Sequence, residues 1–140
     1  MSEQTNSQQA RSVAIRAISR SLQGENLQAC LNQELNISNL SPLDINLATT
    51  LSYNYLRYKG RLDYIIWVYI RHKPNKIPEK FFLYLGLCIY EMIYLEKIPF
   101  YASVNWYVGC VKQKLSNRWA KTANAILRQI CDNIETIQSL

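Results

Sequence analysis

The sequence has few of the residues that build metal and catalytic sites. His72 is its only histidine, and its four cysteines are scattered without a Cys-x-x-Cys pair. A zinc site needs several cysteine or histidine ligands, and a serine or cysteine nucleophile usually needs a histidine as its base. The acidic residues form no evident acid-base pair, and no glycine-rich phosphate loop is present. We therefore expect no metal site, no cofactor and no catalytic residue in these 140 residues.

Long apolar runs are also missing. The most apolar stretch, residues 81–95, is shorter than the roughly 20 residues that a membrane-spanning helix needs, and it contains Glu91. Residues 1–9 are polar and lack the basic-then-apolar order of a signal peptide, so we expect a loose tail there. The scattered cysteines, each inside an apolar helical pattern, are typical of reduced core residues. These absences predict a cytoplasmic protein without a membrane segment.

Apolar and basic residues are what the sequence has instead. Hydrophobic residues make up 49% of the chain, enough to enclose a core, and a length of 140 residues is typical of a single domain. Lysine and arginine number 16 against 10 acidic residues, which gives a formal net charge of +6. A positive balance favours acidic partners such as nucleic acids, although membrane-surface proteins share it. The charge therefore favours nucleic acid without naming a partner.

Apolar residues recur at helical spacing through most of the chain. No segment shows the alternation and turn residues of a β-hairpin, and no internal repeat is present. The pattern predicts an all-α fold, a single-domain bundle of about seven helices over residues 10–140. A clear example of one helix face, at positions i, i+3, i+4, i+7 and i+8, is formed by Leu62, Ile65, Ile66, Tyr69 and Ile70.

Single residues also predict where helices begin, end and cross. Ser41 can cap a helix whose first residue is Pro42, and Asp44 suits the positive end of the helix dipole. Gly60 is expected to stop or bend that helix. Gly86 lies mid-helix, where glycine costs about 1 kcal/mol relative to alanine, so we expect a close helix crossing there.

Two asparagines and two tryptophans stand out in the last third of the chain. Asn105 and Asn124 lie inside apolar helical patterns, where an amide normally has a defined hydrogen-bond partner. We interpret both as a structural link between the last helices. Trp106 and Trp119 would be stacking platforms or partner contacts if exposed, while Trp119 on an apolar stripe is more often a core residue.

Six short segments form a pattern in content and in order. They are Ala10-Arg11-Ser12-Val13-Ala14, Leu40-Ser41-Pro42-Leu43-Asp44, Leu56-Arg57 through Gly60-Arg61-Leu62-Asp63, Leu85-Gly86 with Tyr90-Glu91 and Leu95, Ile98-Pro99 with Ala102-Ser103-Val104-Asn105, and Asn124-Ala125-Ile126-Leu127-Arg128. In this order they resemble the NusB superfamily, and more specifically the N-terminal NusB-like domain of RsmB-type rRNA cytosine-5 methyltransferases. The sequence departs from that branch at Asn54, where glycine is usual, and at Trp106, where an acidic residue is usual.

The resemblance implies an all-helical fold that binds RNA, with rRNA the expected target. The domain would recruit or position RNA for a methyltransferase domain that these residues do not contain, because no proline here is followed by the cysteine expected at a cytosine-5 methyltransferase nucleophile. The alternative is a stand-alone NusB-like factor of antitermination or ribosome biogenesis that acts through a small ribosomal protein. In stand-alone NusB the RNA surface includes an arginine-rich first helix, and the match carries that role onto Arg11 alone.

Residue spacing adds further candidates for RNA contact. Arg16 and Arg20 lie one turn apart on the polar face of the first helix, and the alternative there is a solvated polar face. Arg57, Arg61 and Lys73 lie near several tyrosines, an arrangement that could combine phosphate contact with base stacking. For this second group a structural role is favoured, with the arginines in ion pairs to nearby aspartates.

Overall fold

Seven α-helices form the structure, a computed structural model that describes residues 3–71, 75–95 and 97–138. No β-strand occurs within these ranges, so the predicted all-α class is confirmed. In chain order the helices are α1 (Glu3–Leu22), α2 (Leu27–Ser38), α3 (Pro42–Tyr69), α4 (Glu79–Tyr94), α5 (Phe100–Lys114), α6 (Asn117–Asp132) and α7 (Ile134–Gln138).

The helices divide into two compact units. Unit 1 comprises Met1–Tyr58 and unit 2 comprises Lys59–Leu140, so α3 contributes residues to both. The single domain that the sequence predicts over residues 10–140 stays a prediction. Apolar content and chain length report how much core a chain can enclose, whereas the division of contacts along the chain depends on tertiary packing.

Helix α1 begins earlier than the sequence predicts. The expectation of a loose tail over residues 1–9 is wrong from Glu3 onwards, because the helix starts there. Glutamate and glutamine are good helix formers, and an acidic residue suits the positive end of a helix, so polar residues can extend a helix that is already packed. Met1 and Ser2 lie outside the described residues.

Small side chains allow close packing of α1 and α2 in unit 1. The buried cluster consists of Ala10, Val13 and Ala17 of α1, Cys30 and Leu31 of α2, and Ala48 of α3. The α1 members recur every three or four residues and therefore share one helix face. This packing leaves Arg16 and Arg20 beside the polar residues of α2.

Helix α3 starts where the sequence predicts and ends later. Pro42 is its first residue, and the Ser41 hydroxyl oxygen accepts from the backbone N–H of Asp44 at 3.3 Å. The same hydroxyl donates to Asp44 Oδ2 at 2.9 Å, and Asp44 is buried. Together these bonds satisfy a helix end that would otherwise have unpaired N–H groups.

Of the stop or bend predicted at Gly60, the stop is wrong, because α3 continues through it to Tyr69, and the bend stays a prediction. Gly60 is exposed, and its φ angle is not in the left-handed region that ends many helices. The apolar residues that follow Gly60 keep the helical spacing, so continuing the helix buries Leu62, Ile65 and Ile66. Their burial outweighs the cost of about 1 kcal/mol for a mid-helix glycine.

Helix α4 provides most of the core of unit 2. From Phe81 to Ile93 only one residue, Phe82, is not buried. Gly86 is buried within this stretch, and a close helix crossing at Gly86 stays a prediction. The carboxylate of Glu91 is also buried, where it accepts hydrogen bonds from two α5 hydroxyl groups, Ser103 at 2.7 Å and Tyr107 at 2.5 Å. These bonds offset part of the cost of burying a carboxylate.

The sequence predicts one last helix from an apolar stripe, but the structure has two helices there. The residues of the predicted stripe are Trp119, Ala123, Ile126, Leu127, Ile130, Ile134 and Ile137. Helix α6 ends at Asp132, and α7 begins at Ile134 after a turn at Asn133. Helix α6 is capped by Ser116, whose hydroxyl oxygen accepts from the backbone N–H of Trp119 at 3.1 Å. Its inner face is the predicted apolar stripe, with buried residues Ala120, Ala123, Ile126, Leu127 and Ile130.

Candidate nucleic-acid interface

Two of the predicted RNA-binding arginines in unit 1 are ion-paired. Arg16 Nε donates to Glu34 Oε1 at 2.7 Å. Arg20 Nη2 donates to Glu25 Oε1 at 2.9 Å and to Gln33 at 2.8 Å, while its Nη1 lies 3.5 Å from Glu34 Oε2. We call Arg16 and Arg20 the α1 arginine face. Two glutamates accompany its two arginines, so the local charges largely cancel.

The bond between Arg20 and Glu25 also changes how both groups titrate. It lowers the pKa of the Glu25 carboxyl below its ordinary value, and the charge of Arg20 acts in the same direction. Glu25 in turn raises the pKa of the Arg20 guanidinium. Because both side chains are partly exposed, salt screens this pair and its contribution to stability is small. A phosphate group that binds Arg20 has to compete with this carboxylate.

The other predicted contacts in unit 1 have different surroundings. Arg11 of α1 is only 4% exposed. Its RNA contact stays a prediction, one that requires the side chain to reach the surface. Arg57 is exposed, and its guanidinium lies 5.4 Å from the ring centroid of Tyr58. Lys73, predicted in unit 2, lies outside the described residues.

Arg61 makes contacts that join elements of unit 2. Its Nη1 donates to the Tyr94 hydroxyl at 2.8 Å, and its Nη2 donates to the backbone carbonyl of Ile137 at 3.2 Å. The predicted ion pair with an aspartate is not formed, because Asp63 instead lies 2.6 Å from Lys59 Nζ. Arg61 thus ties the end of α4 and the short helix α7 to α3.

A cleft of about 510 Å³ opens in unit 2, beside the end of α3 and along α6. Three cations line it: Arg71, Lys76 and Arg118, all of them exposed. No carboxylate is among the lining residues. Within the described part of the chain, none of these three cations forms an ion pair. We call them the cleft cations.

The cleft also has aromatic, apolar and uncharged polar walls. Ile70 and Ile126 are buried, whereas Tyr69 and Trp119 are half-buried. The Trp119 ring packs against Phe81 with centroids 4.7 Å apart, so its position is fixed. Trp119 therefore serves the core and lines the cleft. The remaining lining side chains are Thr122, Ala125 and Gln129 of α6.

This combination suits an unpaired nucleotide. Guanidinium and ammonium groups bind phosphate, and a guanidinium can do so through two parallel hydrogen bonds. Aromatic and apolar walls accept the flat face of a base. The Gln129 amide and the Thr122 hydroxyl can each donate and accept hydrogen bonds at a base edge. A cavity of about 510 Å³ also lies within the range of typical small-molecule sites.

Sequence reasoning missed most of these residues. From the sequence alone, Trp119 is a candidate stacking platform, whereas Lys76, Arg118 and Gln129 are not predicted to contact RNA. A weak signal exists, since Arg118 and Gln129 fall beside the apolar stripe of α6 at helical spacing. The partners on α3 lie more than 40 residues earlier, so the cleft appears only with the tertiary structure.

Asn105, one of the two asparagines predicted to link the last helices, is exposed, and its role as a link stays a prediction. Ser103 and Tyr107, two residues to either side, face the core, and a helix turns by roughly 200° over two residues. Asn124 is half-buried in α6, and its role as a link stays a prediction.

Comparison with known proteins identifies the family. A model described as the NusB family matches residues 8–132, most of the chain. The chain belongs to the NusB family. A Bacillus subtilis (strain 168) protein named probable ribosomal RNA small subunit methyltransferase B is 33% identical over 121 residues. The match covers 86% of this chain and 27% of that protein, so this NusB-family chain spans about a quarter of its relative's length.

Two solved structures share the NusB-like fold. One chain, from the crystal structure of a plectonemic RNA supercoil, has a TM-score of 0.79 at 22% identity and covers 94% of this chain and 97% of its own. Another, from antitermination factors NusB and NusE in complex with double-stranded RNA, has a TM-score of 0.74 at 20% identity, with coverages of 94% and 98%. The predicted NusB-like architecture is confirmed.

Cysteine and acidic side chains add no further site. Cys30 and Cys88 are buried thiols, while Cys110 and Cys131 are half-buried. Burial raises the pKa of the Cys131 thiol, and neighbouring Asp132 raises it further. Across the described residues, no cluster of three His, Cys, Asp or Glu side chains is suited to hold a metal ion. No helix in those ranges is both long and apolar enough to cross a membrane.

Proposed function

We propose that this NusB-family domain binds RNA and that the cleft in unit 2 receives an unpaired nucleotide. The observation that carries the proposal is the set of three cleft cations around an aromatic and apolar interior without a carboxylate. Their positive charge is available to a phosphate because no acidic side chain of the described residues pairs with it. Base stacking on Trp119 and Tyr69 would complete the contact.

The target we propose is rRNA. Support comes from the relative named as a methyltransferase of small-subunit ribosomal RNA, of which this chain matches 27%. In such a protein the NusB-family domain would hold RNA while a separate domain transfers the methyl group. The residues described here would have a recruiting and positioning role and no catalytic one.

The α1 arginine face is a second, weaker RNA contact in this proposal. Arg16 and Arg20 keep the role predicted from their spacing, but each would have to exchange a carboxylate for phosphate. A guanidinium has five N–H donors, so a phosphate could also bind beside the existing partner. Arg11 and Arg57 remain predicted RNA contacts of unit 1. Lys73 and Arg61 remain predictions in unit 2.

A protein partner is the second candidate function. The solved neighbour in complex with NusE shows one NusB protein with such a partner. In this chain, Ile37 is 79% exposed and Leu43 is 80% exposed, which is unusual for large aliphatic side chains. Both lie in unit 1, whereas the residues that line the cleft belong to unit 2.

The RNA proposal can be tested with two variants of equal charge. Lys76→Ala/Arg118→Ala removes two cleft cations, and Lys121→Ala/Arg128→Ala removes two exposed cations of α6 that do not line the cleft. Affinity for short single-stranded fragments of small-subunit rRNA is measured by fluorescence anisotropy over a range of salt. We expect the cleft variant to lose about tenfold or more in affinity and to show a salt slope smaller by about two. Circular dichroism checks that both variants fold.

Two results would overturn this proposal. Equal losses in both variants would mean that only net charge matters and that the cleft is not the contact. Undetectable RNA affinity of the wild type, together with stoichiometric binding of a protein after nuclease treatment, would favour the protein-partner function.

A further inference from the structure

One face of α3 in unit 2 exposes aromatic side chains. Tyr64 is 63% exposed, Trp67 is 44% exposed and Val68 is 53% exposed. Gly60 precedes these residues by one helical turn, and Arg71 follows two residues after the last residue of α3, Tyr69; both are exposed. We call these five residues the α3 aromatic face.

Helical geometry places these side chains in a row. Tyr64, Trp67 and Val68 are spaced i, i+3 and i+4 in α3, and Gly60 lies one turn before Tyr64. A rise of about 1.5 Å per residue separates Tyr64 from Trp67 by about 4.5 Å along the axis. Stacked bases follow each other at about 3.4 Å, so neighbouring bases can meet neighbouring rings. A Cβ added to Gly60 would meet nothing within 4 Å, so there is empty space beside the helix at this end of the face.

The charge around this face favours a nucleic acid. Asp63 is the only acidic residue between Gly60 and Arg71, and it is half-buried and held by Lys59 at 2.6 Å. Arg71 belongs both to the α3 aromatic face and to the cleft cations. The face therefore leads directly to the cleft and carries a net positive charge where the two meet.

We propose that the α3 aromatic face is a stacking track for single-stranded RNA that continues from the nucleotide in the cleft. The inference rests on the proposed function and adds to it a direction for the strand. Bases next to the bound nucleotide stack on Trp67 and then on Tyr64, while Arg71 contacts the phosphate between the cleft and the track. Because every base has a flat face, this contact extends the site without selecting a sequence.

Single-stranded RNA fits this face better than an apolar protein surface does. Tyrosine and tryptophan combine a flat ring with a polar edge, and Val68 is the one aliphatic side chain in the row. A double-stranded RNA keeps its bases stacked on each other and offers no base faces to the rings. The track therefore takes an unpaired strand.

The test compares two probe lengths, a fluorescein-labelled uridine trinucleotide and a uridine octanucleotide, by anisotropy at fixed salt. Wild type is expected to bind the longer probe more tightly. Tyr64→Ala/Trp67→Ala should weaken octanucleotide binding about tenfold and change trinucleotide binding much less. Tyr64→Phe/Trp67→Phe keeps the rings and should bind like wild type. Tyr101→Ala removes a tyrosine that is 68% exposed on α5 and serves as the matched control.

The cleft variant Arg118→Ala separates this inference from the proposed function. If Arg118→Ala weakens the binding of both probes while Tyr64→Ala/Trp67→Ala binds both like wild type, that result would support the cleft site and overturn the stacking track. The α3 aromatic face would then be a candidate surface for a protein partner. If Arg118→Ala binds both probes like wild type, the proposed cleft site fails. An equal loss in Tyr101→Ala and Tyr64→Ala/Trp67→Ala would also overturn the track.

Discussion

The α1 arginine face and the cleft carry similar cations in opposite electrostatic settings. Arg16 and Arg20 each have a carboxylate partner at hydrogen-bond distance, supplied by Glu34 and Glu25. The cleft cations have no such partner among the described residues, and the walls beside them are aromatic and apolar. The first surface is nearly neutral although it has two arginines, whereas the second keeps its full positive charge.

This difference shows why counting arginines on one helix is a poor guide to an RNA surface. A phosphate gains less from a guanidinium that already binds a carboxylate, because one charged partner replaces another. At the cleft the phosphate replaces water, and release of the ions around RNA adds to the gain. The stronger contact is therefore expected where the sequence shows fewer arginines close together.

Reversing one charge in each region should give the largest contrast. Arg118→Glu places a carboxylate among the remaining cleft cations and should lower RNA affinity on the order of tenfold to a hundredfold. Arg128→Glu makes the same charge change on the same helix outside the cleft and should cost much less. Affinity for the rRNA fragments at one salt concentration measures both. Similar losses of RNA affinity in the two variants would mean that the cleft is no more important for binding than the rest of α6.

More of the fold than of the candidate site can be predicted from the sequence. The apolar stripe of α6 and the cap at Ser41 were both predicted, because periodicity and capping depend on neighbouring residues. The errors were at Gly60 and at Asn133, where packing decides whether a helix continues. A mid-helix glycine costs only about 1 kcal/mol, which a few buried side chains outweigh.

The candidate site depends on contacts between residues that are far apart in the chain, and no local sequence pattern shows such contacts. Arg16 and Glu34 lie 18 residues apart, so the sequence could show the arginine without showing that α2 neutralises it. The cleft joins Arg71 with Arg118, which are still further apart in the chain. Arg11 illustrates the opposite case, since a family resemblance selected a residue that packing leaves 4% exposed.

Removing a neutralising carboxylate should make the two regions more alike. Glu34→Gln leaves Arg16 without its carboxylate partner and removes one partner of Arg20. We expect RNA affinity to rise about two- to threefold, and the free energy of unfolding to fall by about 1 kcal/mol. Anisotropy and urea denaturation measure the two effects, and Gln28→Glu provides a charge change of opposite sign on the same helix. Unchanged affinity in Glu34→Gln would mean that RNA does not reach the α1 arginine face.

The smallest expected effect is on the titration of Glu25, and it tests whether the pairing persists in solution. The hydrogen bond from Arg20 lowers the pKa of Glu25, so Arg20→Ala should raise that pKa towards its ordinary value of 4.5. A carboxyl whose folded pKa is lowered stabilises the fold above its unfolded pKa, and this contribution is lost as the pH falls through the folded pKa. The contact is therefore complete at neutral pH and weakens only in acid.

Carboxyl carbon chemical shifts of Glu25, followed by NMR in wild type and in Arg20→Ala, measure this change. Added salt should move the wild-type pKa in the same direction, because the exposed pair is screened. If Glu25 titrates identically in both proteins, Arg20 is not held by this carboxylate in solution. The α1 arginine face would then be about as open to phosphate as the cleft, and the contrast between the two regions would have to rest on Glu34 alone.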